Sequence, residues 1–146
     1  MTKPTSNSPT VADLINPQKR FAPEVLQAIK AYRRSKPWQG TLDERMAKLL
    51  SLHQALCAHY EIEATLILLP GRELPDGQGM GNAAYNRQSQ TIYLAGRPSL
   101  VSYLHSFTRA RGAGRREAFV WSLTLFSRMF KRSFAARRQV GPYLVY

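Results

Sequence analysis

A chain of 146 residues, 44% of them hydrophobic, is long enough to bury one core, so a single domain is expected. Its longest apolar run, residues 64–70, is far shorter than the ~20 residues that span a bilayer, and its polar first nine residues lack the apolar stretch of a secretory signal. One cysteine excludes a disulfide framework, so the sequence predicts a cytoplasmic protein without a membrane span.

The positive charge is concentrated in the last third of the chain. The whole sequence has a net charge of +12, from 21 Lys and Arg against 9 Asp and Glu. Residues 97–146 contain ten basic side chains and a single acidic one, Glu117, whereas the first 96 residues are close to balanced. Such a concentrated field favours polyanionic partners such as nucleic acid or an anionic membrane surface.

The chain begins with a segment that predicts little fixed structure. Residues 1–20 read as a flexible polar tail, although residues 11–20 could form a short helix. A single domain is then expected over residues 21–146. Its first helix is predicted over residues 23–34, because Pro23 suits the first turn of a helix and apolar residues follow at helical spacing.

The second helix of the domain has the clearest start signal in the sequence. Thr41 and Glu44 match a capping box, and apolar residues recur at helical spacing from there to about residue 60. His53 and Cys57 fall within this apolar stripe. We therefore expect both to lie in the core, where buried histidines and small thiols are common. A cryptic metal site made by His53, Cys57 and His59 is the alternative.

The middle of the chain predicts a small sheet. Residues 64–69 form a short apolar run that suits a buried strand, and the glycine-rich residues 71–82 predict a loop. Residues 83–86 and 91–94 read as two strands joined by a polar turn, which is a hairpin signal.

Two helices are predicted in the basic part of the chain. Ser99 is a plausible N-cap for a helix that ends at residues 112–114, Gly-Ala-Gly. The last helix should run from about residue 115 to residue 130 or beyond, with its buried stripe formed by Phe119, Leu123, Phe126 and Phe130. The whole pattern predicts an α+β fold, a small three-stranded sheet packed by four to five helices.

The order of strand, hairpin and histidine-bearing helix resembles a known family. The segments Tyr-Asn at 85–86, Thr-Ile-Tyr-Leu at 91–94, Ser-Leu-Val at 99–101 and Leu-His-Ser-Phe at 104–107 are similar to the small ImmA/IrrE-type zincin metallopeptidases. The similarity covers roughly residues 45–130. It implies a zincin-like fold and an association with plasmids, prophages and the regulation of DNA damage or toxins.

The same resemblance implies that most of the catalytic equipment is missing. In the family the helix has the form L-H-E-F-x-H, and its histidines bind zinc while the glutamate activates water. Here His105 keeps the first ligand position, Ser106 replaces the glutamate and Arg109 replaces the second histidine. A guanidinium has no lone pair to give to a cation. In the family an acidic residue on a following helix supplies a third ligand, and Glu117 is the candidate for it here. We therefore expect neither catalysis nor a bound cofactor, with His105 and Glu117 as vestigial metal ligands.

Other catalytic arrangements find little support in the sequence. His105 and Ser106 are neighbours in a helix and point about 100° apart, so they cannot act as a nucleophile and base pair. The alternative to a ligand or catalytic role for His105 is that it is a buried side chain hydrogen-bonded to the backbone.

The arginine-rich C-terminal half is the predicted functional surface. Nine basic residues are the candidate nucleic-acid contacts: Arg109, Arg111, Arg115, Arg116, Arg128, Lys131, Arg132, Arg137 and Arg138. The predominance of arginine favours bidentate phosphate or carboxylate recognition. No motif for reading base sequence is recognisable, so we expect recognition of the backbone or of shape.

Three functions are compatible with these observations. The first is a non-catalytic accessory or regulatory protein that binds nucleic acid or a nucleoprotein complex, with no membrane partner. The second is a metal-dependent hydrolase with a rebuilt site around His105. The third is an adaptor whose positive face docks on an acidic protein.

Overall fold

The structure, a computed structural model, describes residues 11–69, 83–96 and 99–131, which form five helices and a three-stranded sheet. In chain order the elements are α1 (Val11–Leu14), α2 (Pro23–Arg34), α3 (Leu42–Tyr60), β1 (Thr65–Leu69), β2 (Ala83–Asn86), β3 (Thr91–Ala95), α4 (Leu100–Ala110) and α5 (Arg115–Met129). The predicted α+β class is confirmed. None of the helices in the described ranges combines the length and apolar character needed to cross a bilayer.

The sheet is mixed and has β3 at its centre. β1 pairs with one edge of β3 in parallel, with Thr65 opposite Thr91, and β2 pairs with the other edge antiparallel, with Asn86 opposite Thr91. The turn between β2 and β3 is held by Asn86, whose Oδ1 accepts hydrogen bonds from the backbone N–H groups of Gln88 (2.9 Å) and Ser89 (3.1 Å). An asparagine that bonds to the backbone two residues on is a common turn former, and the predicted hairpin is confirmed.

Helix α3 begins at the predicted capping box. The hydroxyl of Thr41 accepts a hydrogen bond from the N–H of Glu44 (3.1 Å), and the Glu44 carboxylate accepts one from the N–H of Thr41 (3.0 Å). These bonds to Thr41 lower the pKa of Glu44. The side of the helix that faces the core contributes four buried residues, Leu49, Leu52, His53 and Leu56.

Helix α4 is the most deeply buried element. Ser99 caps its first turn, with its hydroxyl accepting a hydrogen bond from the N–H of Ser102 (3.4 Å). Every residue from Leu100 to Thr108 is buried, polar residues included. The helix packs against α5 on one side and against β2 and β3 on the other. His105 and Ser106 are therefore held inside the molecule, on a helix enclosed by other elements.

Helix α5 buries more of its surface than the predicted stripe. Leu123, Phe126 and Phe130 are buried as expected, whereas Phe119 is only half-buried. All six residues from 121 to 126 are buried. The reason is that α5 packs against α4 and also against α1 and α2, so it has neighbours on more than one side.

The packed part of the chain begins earlier than the predicted domain boundary at residue 20. Leu14 is buried in the core, and the backbone N–H of Asn16 donates a 3.0 Å hydrogen bond to the hydroxyl of Thr124 on α5. Two backbone carbonyls of this segment are also bound by Arg128. One buried leucine and these long-range hydrogen bonds fix residues 14–19 against α5, while residues 1–10 lie outside the described part of the chain.

Candidate nucleic-acid interface

His105 is buried in a way that leaves part of its ring unsatisfied. Its side chain is 5% exposed, and its ring lies against that of Phe119, with 4.3 Å between centroids. The Nδ1 atom is buried and has no hydrogen-bond partner within the described residues, so the expected bond to the backbone is not made at this atom. Burial, together with the charges of Arg109 and Arg115, lowers the pKa of His105 to about 4. The ring is therefore neutral at pH 7.

The residues around His105 do not fit a zinc ion. Ser106 is buried and Arg109 is exposed at the end of α4, and the Arg109 charge disfavours any further cation at the histidine. Glu117 is an exposed residue in the first turn of α5. Across residues 11–69, 83–96 and 99–131, no group of three or more His, Cys, Asp or Glu side chains could hold a metal ion. His105 and Glu117 therefore belong to no such group.

The second histidine cluster is part of the core. His53 Nε2 lies 2.6 Å from the carbonyl oxygen of Ala64, which can only accept, so Nε2 carries the proton. Its Nδ1 then accepts a 2.7 Å hydrogen bond from the hydroxyl of Tyr103. Burial lowers the pKa of His53 and raises the pKa of the half-buried Cys57 thiol, 3.5 Å from Nε2. Both ring nitrogens are thus used, and the expected core position of His53 is confirmed.

Arg111, predicted to contact phosphate, is instead held among aromatic rings. Its guanidinium carbon lies 4.2 Å from the ring centroid of Tyr60 and 4.8 Å from that of Trp121. The side chain is half-buried, its Nε has no hydrogen-bond partner within the described residues, and burial lowers its pKa. The guanidinium of Arg111 therefore stacks on aromatic rings within the protein, a contact that the sequence alone does not reveal.

Arg128 is also engaged within the protein. Its Nη1 and Nη2 donate hydrogen bonds to the backbone carbonyls of Lys19 (2.7 Å) and Pro17 (3.1 Å), and its guanidinium lies 5.0 Å from the ring of Phe21. Arg128, one of the nine candidate nucleic-acid contacts, therefore ties the N-terminal segment to α5. Lys131 is exposed, and Arg132, Arg137 and Arg138 lie outside the described residues.

Three predicted contacts remain at the surface near the turn between α4 and α5. Arg109 is exposed at the end of α4, and Arg115 and Arg116 are exposed at the start of α5. The structure adds Arg87, an exposed residue of the β2–β3 turn that sequence reasoning missed. Arg87 belongs to the part of the chain with balanced charge, so only the folded topology brings it to this surface.

An open cavity of about 1000 Å³ lies between the β2–β3 turn and the α4–α5 turn. Arg87, Arg109 and Arg111 line it, together with the amides of Asn86, Gln88 and Gln90 and the side chains of His105 and Ser106. Among the described residues, no Asp or Glu contributes to the lining. The cavity also reaches Gly114, the N-cap of α5, which has no side chain to cap the first N–H groups.

The electrostatics of this surface favour an anion. Two exposed guanidinium groups, a helix N-terminus with its partial positive charge and polar side chains converge on one concave region. We call the exposed residues Arg87, Arg109, Arg115 and Arg116 the cationic rim.

The order of sheet and histidine-bearing helix follows the predicted pattern, but the zincin resemblance stays a prediction. Comparisons with protein-family models, curated proteins and solved structures found no match for this chain.

Proposed function

We propose that this protein is a non-catalytic accessory or regulatory protein that binds nucleic acid, alone or in a nucleoprotein complex, through the cationic rim. One observation supports this above the others: the exposed Arg87 and Arg109 line a cavity whose described lining has no carboxylate, and the exposed Arg115 and Arg116 directly follow its lining residue Gly114. A net charge of +12 alone could mean only a solvated surface, but in this fold two exposed guanidinium groups from different elements line the same concave region.

The chemistry of the rim suits phosphate better than base edges. Guanidinium groups form bidentate hydrogen bonds with phosphate oxygens, and such contacts position a strand without reading its sequence. Four arginines would neutralise about four phosphates, which predicts a slope of roughly −3 to −4 for log K against log salt. Binding should therefore weaken steeply as salt rises and depend little on sequence.

The alternative of a metal-dependent hydrolase finds no comparable support. His105 is flanked by the charges of Arg109 and Arg115, and it has no set of acidic or thiolate neighbours within the described residues. An acidic protein partner would meet the same cationic rim, so the test must separate it from nucleic acid.

The test is a salt titration of binding to labelled duplex DNA, single-stranded DNA and RNA of equal length, followed by fluorescence anisotropy. The test variant is Arg109→Glu with Arg116→Glu. The matched control is Lys30→Glu with Arg34→Glu, two exposed residues of α2, which packs against α3 and α5. Both variants change the net charge by the same amount, so any difference between them reports position.

We expect the test variant to reduce the salt slope by about 2 and to weaken binding at least tenfold, since each lost phosphate contact removes about one unit of slope. The control should keep the slope of the unmodified protein. Equal losses in the two variants, or no binding to any of the three nucleic acids at low salt, would overturn the proposal and leave an acidic protein as the partner to test.

A further inference from the structure

The cavity beside the cationic rim has features that a flat basic surface does not need. His105 borders it with a side chain that is 5% exposed and an Nδ1 that has no partner within the described residues. Unpaired buried polar atoms are uncommon, because a polar atom taken out of water without a new hydrogen bond destabilises the fold. Nδ1 itself has almost no accessible surface, so a ligand in the cavity would meet the remaining exposed edge of the His105 ring.

The positive groups of the cavity come from three separate elements. Arg87 lies on the β2–β3 turn, Arg109 lies at the C-terminal end of α4, and Gly114 begins α5 with no side-chain cap. Uncapped N–H groups at a helix N-terminus bind phosphate well, since they supply both donors and a favourable dipole. Arg87 and Arg109 add positive charge to the same space. No Asp or Glu is among the described residues that line it, so this charge is not offset there.

The size and the remaining lining residues point to more than a free ion. A volume of about 1000 Å³ is at the upper end of the range of small-molecule sites. The amides of Gln88 and Gln90 and the half-buried ring of Tyr85 also line the cavity. Amides can pair with the edges of a base, and a tyrosine ring can stack on one. The cavity therefore has room and contacts for a nucleoside attached to the anion.

We infer that the cavity binds a phosphomonoester, the terminal phosphate of a nucleotide or of a nucleic-acid strand, with the phosphate placed between Arg87, Arg109 and the N-terminus of α5. This inference rests on the proposed function and deepens it, because the end of a strand is one source of this group and a free nucleotide is the other. A phosphomonoester has a charge near −2 at neutral pH, whereas a phosphodiester within a strand has −1. Three convergent positive groups suit the doubly charged end.

His105 would recognise the phosphate as a neutral donor. A neutral imidazole has one N–H and one acceptor nitrogen, and burial, together with the charges of Arg109 and Arg115, keeps the pKa of His105 low in the free protein. A phosphate dianion in the cavity would oppose those charges and raise the pKa. The resonances of the His105 ring would therefore report occupancy directly, without any assay of activity.

The experiment compares one oligonucleotide with a 5′-phosphate or a 5′-hydroxyl group, in DNA and RNA forms, and adds a nucleoside 5′-monophosphate and inorganic phosphate as separate probes. Affinities are measured by calorimetry, and the His105 ring is followed by NMR. The test variant is Arg87→Gln with Arg109→Gln. The matched control is Lys30→Gln with Arg34→Gln, and circular dichroism checks that both variants fold.

We expect the 5′-phosphate to improve affinity at least tenfold and to shift the His105 resonances, and we expect the test variant to lose this preference while the control keeps it. If the free nucleotide binds as tightly as the phosphorylated strand, the ligand is a nucleotide; if only the strand binds, it is a strand end. Equal binding of the 5′-hydroxyl and 5′-phosphate strands overturns this inference while the proposed function stands. Binding of inorganic phosphate without either ester also overturns it.

Discussion

Arg128 Nη1 donates a 2.7 Å hydrogen bond to the backbone carbonyl of Lys19, a residue 109 positions earlier in the chain. The same guanidinium donates to the carbonyl of Pro17 (3.1 Å) and lies over Phe21. A side chain that would be counted as surface charge therefore satisfies two backbone acceptors in a segment with no regular structure. The contribution of Arg128 should appear in stability and not in binding.

The first prediction is that Arg128→Ala lowers the free energy of unfolding by about 1.5–3 kcal/mol, the range for hydrogen bonds that involve a charged group. Urea denaturation measures this, with Arg116→Ala as the control. Arg116 is exposed in the first turn of α5, so its truncation should change stability by no more than about 0.5 kcal/mol. A salt slope reduced by Arg128→Ala as strongly as by Arg116→Ala would contradict this assignment.

The second prediction separates two arginines that are two positions apart at the C-terminal end of α4. Arg111 lies on the rings of Tyr60 and Trp121, whereas Arg109 is exposed. We expect Arg111→Ala to cost about 1–2 kcal/mol of stability, since it removes a partly desolvated cation–π contact and packed methylene groups.

Arg109→Ala should leave stability nearly unchanged and weaken nucleic-acid binding. Thermal and urea unfolding, each followed through tryptophan fluorescence, measure the first effect, and anisotropy measures the second. If the Arg111→Ala variant unfolds at the same urea concentration as the unmodified protein, the contacts of Arg111 with Tyr60 and Trp121 do not stabilise the fold.

The local elements of the fold were predictable because their signals lie within a few residues. The reciprocal hydrogen bonds of Thr41 and Glu44 and the turn held by Asn86 need no distant partner. The parallel pairing of β1 with β3 depends instead on how the chain crosses between them, which no local pattern fixes.

The candidate site was predictable only in part, for a related reason. Sequence gives the sign of a charge but not its partner, and Arg111 meets rings from α3 and α5 that are far apart in the chain. Arg87 shows the opposite error: it lies outside the basic third of the sequence but reaches the same cavity as Arg109. Arg109, Arg115 and Arg116 were placed correctly at the surface because they flank a break between helices marked by two glycines.

The third prediction concerns the buried hydrogen bond between Tyr103 and His53. Tyr103 is fully buried, and its hydroxyl donates to His53 Nδ1, whose other described contact is the Cys57 Sγ at 3.8 Å. Tyr103→Phe should cost about 1–3 kcal/mol, because it leaves a buried acceptor with only a weak thiol donor nearby. Urea denaturation measures the loss. The control is Tyr93→Phe, at a half-buried position on β3, with an expected change within about 0.5 kcal/mol. Equal losses in the two variants would mean that the hydrogen bond adds nothing specific.

The fourth prediction is a pH dependence that originates at His105. Its pKa in the folded protein is about 4, below the ordinary value of 6.5, and its ring faces Phe119 and the charges of Arg109 and Arg115. As the pH falls, the unfolded chain takes up the proton first. The stability that the neutral ring contributes is therefore complete above about pH 6.5 and is lost as the pH falls from there to about 4, by at most about 3 kcal/mol.

The measurement is urea denaturation of the unmodified protein and of His105→Asn between pH 7 and pH 4. It should be made in phosphate-free buffer, because an anion in the cavity would raise the pKa of His105. His53, whose pKa is also lowered by burial, is present in both proteins, so its contribution cancels in the comparison. We expect the unmodified protein to lose more stability than the variant over this range. Parallel pH profiles would show that His105 is not held neutral by its surroundings, and they would remove the reason to regard its ring as a neutral donor to a bound phosphate.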